Sequence, residues 1–317
     1  MAKKIIVTGG CGFIGSHVVD ELVKRNHEVI VLDCLTYAGR LENISEAEKS
    51  DNFLMFENID IREKLDLYMC VKKHVPDVIL NMAAETHVDN SIAHCDNFID
   101  TNIKGTTNVL DVCIELGIPI CHVSTDEIYG PASDVAFTED SPYNPQNPYA
   151  ATKAAGDQMI IAYANTHRLN YKIVRPSNNY GPRQNNEKFI PKLISCLLTG
   201  QKFGLYGDGS QEREWLYVKD CARFICNILE SGKDNTIYNI GSEMTRKNVD
   251  MVQKIANIVK SDVVPLDDVV DFVADRPGHD KKYMIDVSLA KSEMLIDKFT
   301  ALDDGLLETI TFYKNKE

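Results

Sequence analysis

The sequence is poor in the features that mark membrane, secreted or metal-bound proteins. No apolar run approaches the ~20 residues that cross a bilayer. The opening stretch, MAKKIIVTGG, enters a strand-like run without the charged, apolar and small-residue sections of a signal peptide. The nine cysteines are an odd number, with no CxxC pair and no Cys/His spacing suited to a metal. They read as reduced packing residues of a cytoplasmic protein, and no metal is expected. Positive charge is also short: 34 Lys and Arg stand against 47 Asp and Glu, for a net charge of −13. Such a balance argues against a broad nucleic-acid or anionic-membrane surface, because nonspecific phosphate binding needs an excess of basic residues. There is no internal repeat and no low-complexity linker.

What is present suits a folded α/β protein. The chain has 317 residues, 44% of them hydrophobic, enough to bury one large core or two unequal ones. Strand-like runs (KKIIVTG, HEVIVLD, NFLMFEN, DVILNMA, IPICHVS, YKIVRP) alternate with amphipathic stretches after Gly12, Arg62, Cys95 and Gln146. Continuous Val, Ile and Leu runs separated by helices predict a parallel sheet covered on both faces, a Rossmann-like doubly wound α/β fold. Beyond Pro176 prolines and glycines punctuate shorter elements. The expected division is therefore a dinucleotide-binding domain over 1–176 and a smaller substrate domain over 177–317, with strands from about 213–241 returning to the first sheet.

In VTGGCGFIG, Gly9, Gly12 and Gly15 recur at three-residue spacing between the first strand and a helix. Glycine there permits a tight turn and close approach of a pyrophosphate to the helix N-terminus. Asp33 ends the second strand, where a carboxylate accepts ribose hydroxyls and repels a 2′-phosphate, so NAD is expected rather than NADP. Asp60 and Ile61 either hold the adenine or, in the case of Asp60, cap the helix that begins near Arg62.

Tyr149 and Lys153 stand four apart in NPYAATKAAGD and share one helical face. An ammonium about 4 Å from a phenol contributes ~4 kcal/mol at an effective dielectric near 20. That would bring a tyrosine of ordinary pKa ~10 toward ~7, within reach of a general base. In STDEIYG, Asp126 and Glu127 are adjacent where a strand runs out. Neighbours on a regular strand face opposite ways. Both can line one pocket only where the strand yields to a loop, which Gly130 and Pro131 allow. Two carboxyls at one site separate into an acid and a base.

With the glycine loop and the Tyr149/Lys153 pair, the chain resembles the extended branch of the short-chain dehydrogenase/reductases. The segments GGCGFIGSH, LTYAG, AAETHVDNSI, STDEIYG, RPSNNYGPRQ, EKFIP, YGDGSQEREWLYV and ADRPGHDKKYMID resemble more narrowly the nucleoside-diphosphate-glucose 4,6-dehydratases, from residue 3 to about 290. The resemblance implies dehydration of dTDP-glucose or UDP-glucose by transient oxidation at carbon 4, loss of water across carbons 5 and 6, and hydride return to carbon 6. It makes Tyr149 the base, Lys153 its partner, Glu127 the base at carbon 5, Asp126 the acid, and Thr125 a further catalytic group.

It also implies cofactor contacts from Gly9, Gly12, Phe13, Ile14, Gly15, Asp33, Thr36, Asp60, Ile61, Ala83, Ala84, Thr101, Tyr149, Lys153 and Asn179. Substrate contacts would come from Thr86, Thr125, Asn178, Lys188, Phe189, Tyr206, Arg213, Asn248, Arg276 and His279. Thr86, where Ser is common, and Gly204, where Pro is frequent, leave thymine or uracil open. The family also implies a homodimer through the helices starting near Cys95 and Gln146. Trp215 reads as core, and His87 and Asp89 as either shaping the pocket or touching ligand. The competing readings are a nucleotide-sugar 4-epimerase or decarboxylase on the same fold, and a non-catalytic NAD-binding sensor or scaffold.

Overall fold

Alternation along the strands decides the architecture. The computed structural model describes residues 2–275, 278–294 and 298–316. Twelve strands follow in chain order: β1 (Lys4–Thr8), β2 (Glu28–Asp33), β3 (Phe53–Asn58), β4 (Val78–Asn81), β5 (Ile120–Val123), β6 (Tyr171–Pro176), β7 (Asn178–Tyr180), β8 (Phe203–Tyr206), β9 (Glu212–Tyr217), β10 (Thr236–Ile240), β11 (Thr245–Lys247) and β12 (Val270–Val273). Seven form one parallel sheet in the order β10-β6-β5-β4-β1-β2-β3.

Because successive side chains leave opposite faces, Ile5, Val7, Val29, Val31 and Leu80 join one core. Ile6, Ile30, Leu32 and Ile79 join the other. The first face is covered by the helices Phe13–Lys24 and Val218–Ser231, through Val18, Leu22, Phe224 and Ile228. The second is covered by Lys64–His74, Thr106–Leu116 and Pro148–His167, through Leu67, Val71, Val109, Leu110 and Ile160. This is the two-sided burial that the uninterrupted apolar runs require.

A second core gathers Tyr180, Leu193, Leu197, Phe203, Leu205, Trp215, Met251, Val252 and Ile255 around the smaller sheets β11-β9-β7 and β12-β8. Of the two strands expected to return to the large sheet, β10 does so beside β6. β9 instead pairs with β7 and β11, because the short Asn178–Tyr180 strand just after β6 carries the chain out of the large sheet and offers it an edge.

In the large sheet, β1 is the switch point: β2 and β3 lie on one side, β4, β5, β6 and β10 on the other. The crevice beyond the carboxyl ends of β1 and β4 is where such sheets take ligands. Among the described residues no helix is long and apolar enough to span a membrane.

Candidate active site

The turn after β1 is built on glycine for steric reasons. Gly9 has φ +68, and a Cβ there would come within 2.7 Å of the Ala83 amide nitrogen at the end of β4. On Gly15 a Cβ would lie 2.2 Å from the Gly9 carbonyl oxygen, so the helix could not seat against the turn. Gly12 precedes the helix Phe13–Lys24 with no side-chain cap, which leaves the first amides of that helix facing the cleft. Asp33 is buried and takes two loop amides, Cys11 N at 3.0 Å and Leu35 N at 2.9 Å. Burial raises its pKa. At the far end Arg62 is held by both carboxylate oxygens of Asp60, through Nε at 3.0 and 2.9 Å. The nearby cation is therefore neutralised rather than presented to a 2′-phosphate.

One cleft is lined by Gly9, Gly12, Phe13, Ile14, Gly15, Asp33, Thr36, Asp60, Ile61, Ala83, Ala84, Thr101, Thr125, Asp126, Glu127, Tyr149, Lys153 and Asn179. Thr86, Asn178 and Lys188 line it too. All the residues expected to touch cofactor or to act chemically thus share one continuous wall. The cradle of glycines that a Cβ would fill, and the buried Ser177 Oγ and Asn178 Oδ1 that have no partner among the described residues, fit an extended polar dinucleotide.

The remaining expected substrate residues stand outside that wall. Phe189 packs against Phe203 and Trp215, at ring-centroid distances of 5.2 and 5.6 Å. Asn248 starts the helix Asn248–Lys260 and is buried. Tyr206 meets His279 edge-on at 6.1 Å, and His279 Nδ1 lies 2.6 Å from Asp275 Oδ1. Arg213 is buried; it donates to the Glu212 and Asp280 carbonyls at 2.8 Å and lies over the Tyr283 ring at 4.4 Å. Arg276 lies outside the described residues.

The two carboxyls do face one pocket, by a route slightly different from the expected one. β5 ends at Val123, and Asp126–Tyr129 form a 3-10 turn whose cap is the Thr125 side chain, accepting from Glu127 N at 3.3 Å. A tight turn breaks the alternation of a strand, so adjacent residues both reach the cleft. Asp126 is 3% exposed, and burial, then Glu127, then Glu214 hold its pKa well above the ordinary carboxylate range against the opposing pull of Arg213. Its protonated form is thereby favoured, as an acid requires. Thr125 Oγ1 donates to Asp126 Oδ1 at 3.3 Å, while Asp126 Oδ2 has no partner among the described residues.

Glu127 accepts from Asn147 Nδ2 at 3.2 Å, and Tyr283 OH lies 3.5 Å away. The single Tyr283 proton goes to Asp280 Oδ2 at 2.6 Å. Asn147, Tyr283 and Glu214 went unrecognised in the sequence. The first carried a signal, since Asn before Pro is a helix start, and Asn147 caps Pro148–His167 by accepting from Ala150 N at 2.9 Å.

Tyr149 and Lys153 share the helix as expected, but the electrostatic reading needs correction. Burial, then the charge of Glu127, pushes the Tyr149 phenol up, and a hydrogen bond with Thr125 only partly offsets this. The lysine does not offset it: its Nζ turns to the sheet, donating to the Val123 carbonyl at 2.7 Å and meeting His122 Nε2 at 3.3 Å. Burial brings Lys153 down to about 8.

Comparison with known proteins gives the same picture. The family described as NAD dependent epimerase/dehydratase matches residues 5–241. A dTDP-glucose 4,6-dehydratase of Neisseria gonorrhoeae is 37% identical over 331 residues, covering 98% of this chain and 95% of that protein. The low-salt glycan biosynthesis protein Agl12 of Haloferax volcanii is 40% identical, covering 98% of each. The crystal structure of DesIV, a dTDP-glucose 4,6-dehydratase from Streptomyces venezuelae with NAD bound, superposes with a TM-score of 0.93 at 38% identity, covering 98% of this chain and 97% of that one.

Proposed function

The chain belongs to the NAD dependent epimerase/dehydratase family, and on that premise we infer that it dehydrates a nucleoside-diphosphate glucose at carbons 4, 5 and 6 with NAD as cofactor. The observation that carries this reading is the pair Asp126 and Glu127 on one turn beside Tyr149, in the cleft that begins at the glycine loop. Ketone formation at a secondary alcohol needs the tyrosine; removal of water from the next two carbons needs an acid and a base as well. We take the thymidine nucleotide as the physiological form, in line with the dTDP-glucose 4,6-dehydratases at 37% identity.

Residues 1–176 with β10 would hold the cofactor, and 177–317 would supply the nucleotide-sugar walls. The pyrophosphate would lie over Gly9, Gly12 and Gly15, the adenosine against Asp33, Asp60 and Ile61, and the nicotinamide ribose against Tyr149 and Lys153. When bound, NAD supplies the acceptor and later the donor of the hydride. Thr86, Thr125, Asn178 and Lys188 would hold the sugar diphosphate. Phe189, Tyr206, Arg213, Asn248, Arg276 and His279 would shape or support the base and diphosphate end.

Tyr149, as phenolate, takes the 4-hydroxyl proton. The ketone acidifies carbon 5, Glu127 removes that proton, and Asp126, whose burial favours the protonated form, gives its proton to the departing 6-hydroxyl. Glu127 later returns its proton to carbon 5. Over one turnover Tyr149 gains a proton and Asp126 loses one, so the cycle closes when that proton passes from phenol to carboxyl. The Thr125 hydroxyl, bonded to Asp126 and to the phenol, lies on that path.

The protein would act in the cytoplasm as a homodimer, joined through the helical face of 96–116 and 148–167, near which Ile92 and Ile99 are exposed. Sedimentation checks the dimer. The reaction is tested by incubation with dTDP-glucose and UDP-glucose: a 4-keto-6-deoxy product from dTDP-glucose is expected. An epimerised sugar of unchanged mass, or no product at all, would overturn the reading.

A further inference from the structure

Behind the lysine, a chain of fully buried polar groups crosses three strands: Thr8 on β1, Asn81 on β4 and His122 on β5. We propose that Thr8 and Asn81 lock the His122 tautomer with its proton on Nε2, and that this N–H, aimed at Lys153 Nζ, makes His122 the positioning residue that sets the charge state of the lysine beside Tyr149. The inference rests on the dehydratase reading only for what the lysine then does.

The lock follows from counting donors and acceptors. Thr8 Oγ1 accepts from Met82 N at 3.1 Å and from Ala83 N at 3.2 Å. Met82 N is shared with the Thr8 carbonyl at 3.2 Å, and with both amides turned to the hydroxyl oxygen its proton is left to donate, at 2.7 Å to Asn81 Oδ1. That fixes which way the amide points. Its nitrogen, a donor only, then faces His122 Nδ1 at 3.0 Å, so Nδ1 must be the bare, accepting nitrogen. Burial, with Lys153 adding to it, keeps the ring neutral. A neutral imidazole with Nδ1 bare carries its proton on Nε2, 3.3 Å from Lys153 Nζ.

An ammonium has three donors and no acceptor, so it meets this N–H as a repelled neighbour. The amine, with one lone pair, accepts it and still donates to Val123 O at 2.7 Å. The chain thus favours the amine and works in the same direction as burial. The other titratable and charged groups around the lysine are few. Asp157, one turn along its own helix, favours the ammonium, but is itself paired with Arg175 of β6 at 3.1 Å. The 126–129 turn brings Asp126 and Glu127 against Tyr149. The Ile99–Gly105 segment faces the same helix with the uncharged Asn102, which donates to Thr152 Oγ1 at 3.0 Å. Lys153 therefore titrates near the working range, cationic below it and amine above. The cation on the helix of Tyr149 is lost as pH rises through that value.

The direct test is nitrogen NMR of the folded protein with NAD and with its histidines 15N-labelled. The expected spectrum shows His122 neutral, Nε2 protonated and Nδ1 bare, from pH 7 to 9; a proton on Nδ1 overturns the proposal. The second test reverses the lock. In Asn81→Asp the carboxylate accepts from Nδ1–H, which turns the Nε2 lone pair toward an ammonium. The high-pH limb of kcat/KM for dTDP-glucose should then move up by about one unit or more. Thr8→Val, which frees the amide to turn, should move the limb the same way, and Thr8→Ser, which keeps the hydroxyl, should restore it. An unmoved limb in a folded Asn81→Asp overturns the proposal. If Asn81→Asp does not fold, the wild-type tautomer still decides. If wild-type protein fails to dehydrate dTDP-glucose, the functional reading falls while the tautomer result stands.

Discussion

At the scale of single residues, the site turns on carboxyls whose protonated form burial favours, Asp126 and Glu214. Asp126 lies deep enough, and close enough to Glu127 and Glu214, for its protonated form to be favoured. Asp126→Asn should slow loss of water by ~10²–10⁴-fold, the usual worth of a general acid, while leaving ketone formation nearly intact. Single-turnover quenching checks this: a 4-keto sugar that still carries its 6-hydroxyl should accumulate. Glu214 makes a stability prediction. Its pKa is raised by burial from 4.5 to about 7. The folded state therefore holds that proton more tightly than the unfolded chain, and the associated stability is lost as pH rises from the unfolded value through about 7. Glu214→Gln escapes this loss, so its stability relative to wild type should be roughly 1–3 kcal/mol more favourable at pH 8 than at pH 5 by denaturant unfolding. Roles set by local spacing were legible in the sequence: Gly9 and Gly15, Tyr149 with Lys153, and Asp126 with Glu127. The settings of those residues were not. Tyr283 reaches Glu127 across 156 positions of chain, and the lysine turns to Val123 and His122 on a strand whose neighbours only the fold decides.

At the scale of elements, two junctions govern the site. The strand–turn–helix after β1 tolerates no Cβ at Gly15, where the atom would fall 2.2 Å from a backbone oxygen. Gly15→Ala should cost ~1–3 kcal/mol of stability through overpacking and should weaken NAD binding, read by calorimetry. The second junction is the start of Pro148–His167, where Asn147 both caps the helix and donates to Glu127. Two substitutions separate these tasks. Asn147→Ala loses the cap and should cost about 1 kcal/mol. Asn147→Ser keeps a capping oxygen but loses the amide donor to Glu127, so it should unfold close to wild type yet show reduced kcat for dehydration. Element order was readable because apolar runs and glycine punctuation are local signals. The departure of β9 from the large sheet was not, since β9 and β10 carry similar apolar patterns and differ only in which edge is available to pair.

For the molecule as a whole, the claim is that one cleft, opened at the switch point of the sheet, performs an oxidation, an elimination and a reduction on the same sugar. The switch point supplies the cradle for the dinucleotide, the end of β5 supplies the acid and the base, and the helix behind them supplies the phenol. A chain carrying −13 overall confines its cations in this region to positions such as Lys153, Arg62 and Lys188. The most direct test follows atoms through the reaction. With dTDP-glucose deuterated at carbon 4 and ordinary water as solvent, the account predicts a product lighter by one water, with the deuterium at carbon 6. Deuterium retained at carbon 4, in a sugar of unchanged mass, would contradict it.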